Sequence, residues 1–310
     1  MIVQMDAVRR IFRACRPYDS LTLGYLLIVL LFLAVSPHRP STANRIAGVH
    51  GAAILGVLLL AYLGDRSRVL RWLHDFYPLP LFVTLFGEFT QLTKILFPYW
   101  IEPLLIKFDV WLFGGAPQHW VMANLSPAAV EFFALAYCSY YLIVPGILFY
   151  VYRKNYPHEL AAVATRICLA MYVCYLLFML LPARGPHHAL PDADPRLIEG
   201  GFITDLLHRL QDVESVEGAA FPSSHVAVAW VAFFIFRRYN KKASWPAGVL
   251  VGALTLSVVA MGYHFSLDAL GGVALAFGLE AAGRPPELKP NPFRRHQCRN
   301  RLRSCRRQHL

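Results

Sequence analysis

Three short stretches of this chain hold residues whose types and spacing could do nucleophilic and acid–base chemistry. The first, "LLPARGPHHAL", carries Arg184, His187 and His188. The second, "FPSSHVAVAW", sets Ser223, Ser224 and His225 directly ahead of an apolar run. The third, "MGYHFSLDALGG", carries His264 and Asp268. His264 and Asp268 are four residues apart, so they lie on one face of a helix that starts near His264. A carboxylate so placed can accept a hydrogen bond from one imidazole nitrogen. The other nitrogen is then a lone pair fixed in direction, fit to act as a nucleophile. A pair that only satisfies two polar groups near an interface would use the same spacing.

Ser223, Ser224 and the first backbone N–H groups of the following helix form an anion site. Those donors lack intrahelical partners, and the helix dipole favours negative charge. An ordinary serine N-cap has the same sequence. His225 can protonate a leaving oxygen as a general acid. Arg184 can hold phosphate oxygens bidentately, or it can anchor a helix end at a membrane interface. His187 and His188 stand close by as possible head-group contacts, with no role fixed by the sequence.

The elements that must position these residues read as membrane helices. The chain has 310 residues, 56% hydrophobic and 16% charged, with a mean hydropathy of +0.43. A soluble domain of this length needs more polar surface. Apolar stretches long enough to cross a bilayer, roughly 17–25 residues each, recur at 20–37, 46–64, 79–97, 128–152, 160–182, 220–237, 245–263 and 265–283. The expected fold is therefore all-α: a polytopic membrane bundle of about eight transmembrane helices.

The formal net charge is +11, and its placement sets the topology. With eight crossings, about 23 of the 30 Lys and Arg residues fall on one side. They include Arg66, Arg68 and Arg71, then Arg153 and Lys154, then Arg237, Arg238, Lys241 and Lys242, and both ends of the chain. By the positive-inside rule both termini are cytoplasmic, and the three clusters meet on the non-cytoplasmic face. Basic residues before the first apolar run also fit a signal peptide. The run reads as a retained helix, because its removal would invert the charge bias of everything after it. The six cysteines fall in apolar spans or on the cytoplasmic side and imply no disulfide.

Residues 1–18 read as a basic cytoplasmic leader and 19–283 as a transmembrane catalytic domain with its motifs within 181–272. Residues 98–127, broken by Pro and Gly, read as interfacial helices on the outer face, with Trp100, Trp111 and Trp120 in an aromatic belt. The longest polar segment, 183–219, reads as a functional loop. Residues 284–310 read as a disordered basic tail whose partner is the anionic inner leaflet, not nucleic acid. Glu88, Gln91 and Lys94 recur every three residues, so they share a helix face. That face could contact a polyol head group or close an internal hydrogen-bond network.

"PSSH", followed by "HFSLD" and a glycine pair, resembles the type 2 phosphatidic acid phosphatase and vanadium haloperoxidase superfamily over roughly residues 100–283. The resemblance implies that His264 is the nucleophile, Asp268 orients it, and His225 is acid and then base. Arg184, Ser223 and Ser224 would bind phosphate. The hydrolase pattern KxxxxxxRP puts Leu177 where its lysine belongs and separates Arg184 from Pro186 by Gly185. In SRxxxxxHxxxD, Ser257 fits but Val258 stands at the arginine. These losses, with "FDVWLFGGAP" and "YLLFMLLPARGP", resemble the inositolphosphotransferase branch, including inositol phosphorylceramide synthases. A phosphodiester brings about one charge and a monoester about two, so a diester donor needs fewer cations.

The expected activity is thus transfer of a phospho-head group from a phospholipid donor to a lipid or polyol alcohol, through a phosphohistidine. The close alternative is a lipid phosphate phosphatase on the same scaffold, with water as acceptor. A transporter or scaffold would be free to lose His225, His264 or Asp268, and all three are present. Nothing in the motifs calls for a metal or an organic cofactor.

Overall fold

The structure, a computed structural model, describes residues 14–154, 157–190, 192, 194–213 and 216–283. The expected tail 284–310 and the leader up to residue 13 lie outside these residues. In chain order the main helices are α1 (Pro17–Val35), α2 (Ala43–Leu63), α3 (Arg68–Phe76), α4 (Pro78–Phe86), α5 (Glu102–Phe113), α6 (Pro117–Asn124), α7 (Pro127–Cys138), α8 (Tyr140–Arg153), α9 (Pro157–Leu180), α10 (Phe202–Val213), α11 (Ser224–Tyr239), α12 (Ser244–Ala260) and α13 (Ser266–Ala282). The chain is an all-α membrane bundle.

Local chemistry explains where these helices start. Proline opens α1, α4, α6, α7 and α9, where its missing N–H costs no hydrogen bond. Serine oxygens cap α3, α7 and α11, with Ser67 accepting from Leu70 N, Ser126 from Ala129 N and Ser223 from Val226 N.

By length and composition α1, α2 and α9 suffice to cross a membrane among the described residues, and α7–α8, bent by 40°, passes the same test only as a pair, as a broken span or a re-entrant loop would. The expected count of eight does not follow from this test. Helices α11, α12 and α13 have 16, 17 and 17 residues. At about 1.5 Å per residue they fall a few ångströms short of a hydrocarbon core of about 30 Å. The stretch 79–97 is not one helix. Helix α4 ends at Gly87, a single turn follows at Phe89–Leu92, and Lys94 then takes a left-handed backbone with φ of 67°.

That break corrects the expected stripe of Glu88, Gln91 and Lys94, which do not share one continuous helix face. Glu88 instead meets His50 of α2, with Oε2 3.5 Å from Nδ1. The polar segment 183–219 also holds a helix that was not expected, α10. Its N-terminus is capped from afar: the Glu131 carboxylate of α7 accepts from Gly201 N, Ile203 N and Thr204 N at 2.8–3.0 Å.

Helix α11 lies at the centre, packed against α13, α9, α8 and α12. Its turn of Val226, Ala227, Val228 and Ala229 is buried on all sides. The small side chains let α13 approach closely at Gly272. Outside this centre, α1 is pinned to α3 by buried Asp19, which pairs with His74 at 2.9 Å and accepts from Tyr77 Oη at 2.9 Å.

Candidate active site

Four chain ends meet where α9 stops, α11 starts, α12 stops and α13 starts. Ala183, just past α9, bridges to Ala219, and Ala220 N donates to Ala183 O at 3.1 Å. Ser223 N, ahead of α11, donates to Asp268 O in the first turn of α13 at 3.0 Å. After α12, Gly262 takes φ of 75°, a conformation that favours glycine. This reversal folds Tyr263 and His264 back so that both backbone N–H groups donate to Val258 O. Asp109 of α5 caps α13, with Oδ1 accepting from Ser266 N at 3.1 Å.

These ties bring the predicted imidazoles together. The rings of His225 and His264 are 5.9 Å apart between centroids, at 62° to each other. Both residues are buried, and His225 sits against Tyr140 and Tyr137 at 4.2 and 5.2 Å. His264 Nδ1 lies 3.5 Å from Asp268 Oδ2, a distance too long for a good hydrogen bond. Asp268 uses Oδ2 to accept from Phe265 N at 2.9 Å. Catalytic hydrogen bonds are often long in a ligand-free site and tighten around substrate.

The rings face a small cavity of about 40 Å³, lined among others by Tyr137, His187, Gln211, His225, Tyr263 and His264. That space takes a few waters or one phosphoryl group, not a lipid. Nδ1 of His187 and of His264, both ring nitrogens of His225, and Asp268 Oδ1 are buried without a hydrogen-bond partner, while the His264 ring also meets the Ala220 backbone. Unsatisfied buried polar atoms call for an explanation, and a substrate's polar group supplies one. Among the described residues no group of three or more His, Cys, Asp or Glu is arranged to hold a metal.

Several expected contacts lie elsewhere. Arg184, Ser223 and Ser224 do not line this cavity. Arg184 Nε donates to Glu102 Oε1 at 2.7 Å, and the guanidinium lies over Trp100, as does Lys94 Nζ at 4.0 Å. Trp100 is thus engaged by two cations, while Trp111 and Trp120 are exposed as an aromatic belt requires. Ser223 Oγ serves as the helix cap, so the serine N-cap reading holds for that atom. His188 packs against His187, ring centroids 4.0 Å apart and tilted by 42°, without lining the cavity. Glu102, Tyr263 and Gln211 were missed and carried no local signal; Asp109, which reads as a helix-start residue in the sequence, lies inside α5 and caps the distant start of α13.

Burial, then the neighbouring His188 and His264, push His187 down to about 3. An unfolded histidine takes up a proton near pH 6.5, and the folded one resists until about 3. The stability that neutral His187 gives is therefore present above pH 6.5 and lost as pH falls through that window, by up to about 1.4 kcal/mol per pH unit. Melting curves in detergent should show a shallower acid loss between pH 6.5 and 4.5 for His187→Phe than for wild type.

A family model described as the PAP2 superfamily matches residues 103–282, more than half of the chain. Comparison with curated proteins and with solved structures gave no match.

Proposed function

The chain belongs to the PAP2 superfamily, and from that premise we propose that it moves a phospho-head group from a phospholipid to an alcohol through a phosphohistidine. The coarser statement stands on the family alone: it is an integral-membrane phosphatase or phosphotransferase of the type 2 phosphatidic acid phosphatase superfamily. Of the residues that match the family motifs, His225 and His264 line the cavity, and their meeting there supports the reading. The matched region runs from the second residue of α5 to the last of α13.

The reaction is two in-line displacements. His264 attacks phosphorus with the nitrogen turned away from Asp268. The bond from phosphorus to the lipid oxygen breaks, and His225 gives that oxygen its proton. The acceptor hydroxyl then attacks from the vacated side. The phosphorus–nitrogen bond breaks, and the acceptor's proton goes to His225, restoring the enzyme. Asp268 orients His264 once the 3.5 Å gap closes on substrate. Charge on the equatorial oxygens is met in part by the first turn of α11, where His225 lines the cavity.

One observation favours transfer from a diester over hydrolysis of a monoester. Among the described residues lining the cavity there is no lysine or arginine, and the nearby Arg184 is held by Glu102. A cavity without a free cation suits a group with one negative charge better than one with two. Leu177 and Val258, where the hydrolase pattern has cations, agree with the inositolphosphotransferase branch. An apolar groove of about 510 Å³, lined by Leu112, Phe113, Trp120, Leu256, Ala269 and Leu270, runs along α13 and suits a lipid chain. By the charge asymmetry the site faces away from the cytoplasm.

The test is product analysis by mass spectrometry. Purified protein given a phosphoinositide-type donor and a long-chain alcohol should yield the alcohol's phosphodiester. Rapid phosphate release from phosphatidic acid, with no transfer to any alcohol, would favour the phosphatase instead.

A further inference from the structure

The cavity holds a third imidazole that the displacement scheme leaves idle. His187 lines it beside His225 and His264, and its buried Nδ1 has no hydrogen-bond partner. Its ring is wedged between His188, 4.0 Å away, and Tyr263, 5.6 Å away. Gly185 makes this placement possible. A Cβ there would lie 2.6 Å from the Tyr263 carbonyl oxygen and 2.7 Å from the His187 ring. The glycine that interrupts the arginine–proline pair thus lets the chain pass under Tyr263 and turn His187 inward.

Phosphoryl transfer places charge on three equatorial oxygens, and each needs a donor. Arg184 is held by Glu102 outside the cavity lining. Ser223 Oγ is used as a helix cap. The α11 N-terminus supplies backbone donors from one side only. We infer that His187 is a phosphoryl-binding residue: one ring N–H donates to an equatorial oxygen of the group on His264, in the place of the cations absent at Leu177 and Val258. Because His187 is held down to about 3, it is neutral at pH 7 and acts as a dipolar donor, not a counter-charge. The inference rests on phosphoryl chemistry in this cavity and not on the choice between transfer and hydrolysis.

Orthovanadate tests it, since the ion mimics pentavalent phosphorus and needs no knowledge of the lipid. Its affinity is measured on the full-length protein in detergent, for wild type, His187→Phe, His187→Gln and Arg184→Gln. Phenylalanine keeps the ring contacts and removes the donor; glutamine restores a donor. The expected result is a loss of at least about tenfold for His187→Phe, most of it recovered in His187→Gln, with Arg184→Gln changing affinity less than about threefold. His187→Leu is read the same way if His187→Phe does not fold. Unchanged affinity in a folded variant, or a larger loss for Arg184→Gln, overturns the assignment. A folded wild type that binds no vanadate overturns the phosphoryl reading itself, and the assignment with it.

Discussion

Replacing His264 by glutamine or alanine should lower turnover by at least about two orders of magnitude. No second nucleophile stands in the same place. His225 is assigned to the leaving oxygen in the proposed reaction, and the tyrosines around it are far weaker nucleophiles at neutral pH. The protein should still fold, because the backbone of residue 264 holds the turn by donating to Val258 O at 2.9 Å, and that bond survives any side chain. Asp268→Asn gives the matching control. Asparagine can still accept from Phe265 N and keep the start of α13 intact. It cannot stabilise a positive charge on His264, so its loss of turnover reports orientation and electrostatics, not folding. Equal turnover in wild type and His264→Ala would place the nucleophile elsewhere, and no turnover in either would leave the protein as a carrier or scaffold on this fold.

A second large effect is expected from one methyl group. In Gly272→Ala the new Cβ would lie 2.6 Å from Ser223 O, 3.0 Å from Val226 Cβ and 3.1 Å from Ala227 N. Two of these are backbone atoms of α11 and its cap, which cannot turn aside as a side chain can. The helices must separate, at a cost of about 1–3 kcal/mol. Separation stretches the Ser223 N to Asp268 O bond and carries His225 away from His264. A misplacement near 1 Å can cost about a hundredfold in rate. Turnover in folded Gly272→Ala should therefore fall by about ten- to a hundredfold. Gly271→Ala meets only the Phe221 ring and Pro222 Cβ, at 3.1 and 3.2 Å, and should be milder. Gly278→Ala meets nothing within 4 Å and should be neutral or slightly stabilising.

The contrast among these glycines marks what the sequence made legible. The glycine pair stood in the sequence as part of the motif that carries His264, and the four-residue spacing of His264 and Asp268 placed them at one helix start. The meeting of His225 and His264 followed from alternating helices that put three clusters at one end of the bundle. Pairings across long sequence distance were not legible. Arg184 and Glu102 are 82 positions apart, and no local pattern joins them. The cap of α10 by Glu131 is of the same kind: about 70 residues separate the carboxylate from the N–H groups it satisfies. The stripe of Glu88, Gln91 and Lys94 failed for a different reason. Three-residue spacing implies a shared face only if the helix continues, and here the backbone turns left-handed at Lys94 without a glycine to signal it. The stretch 79–97 broke up for the same reason: its apolar content runs on past the end of a continuous helix.

The most direct test of the account is the site of the covalent intermediate. Protein is mixed briefly with a head-group-labelled phospholipid, quenched in base to protect a phosphohistidine, digested and mapped by mass spectrometry. The account predicts one labelled peptide, modified on His264, absent from His264→Ala and chased to product by an alcohol. Label on another residue, or steady turnover with no label on His264, would contradict it.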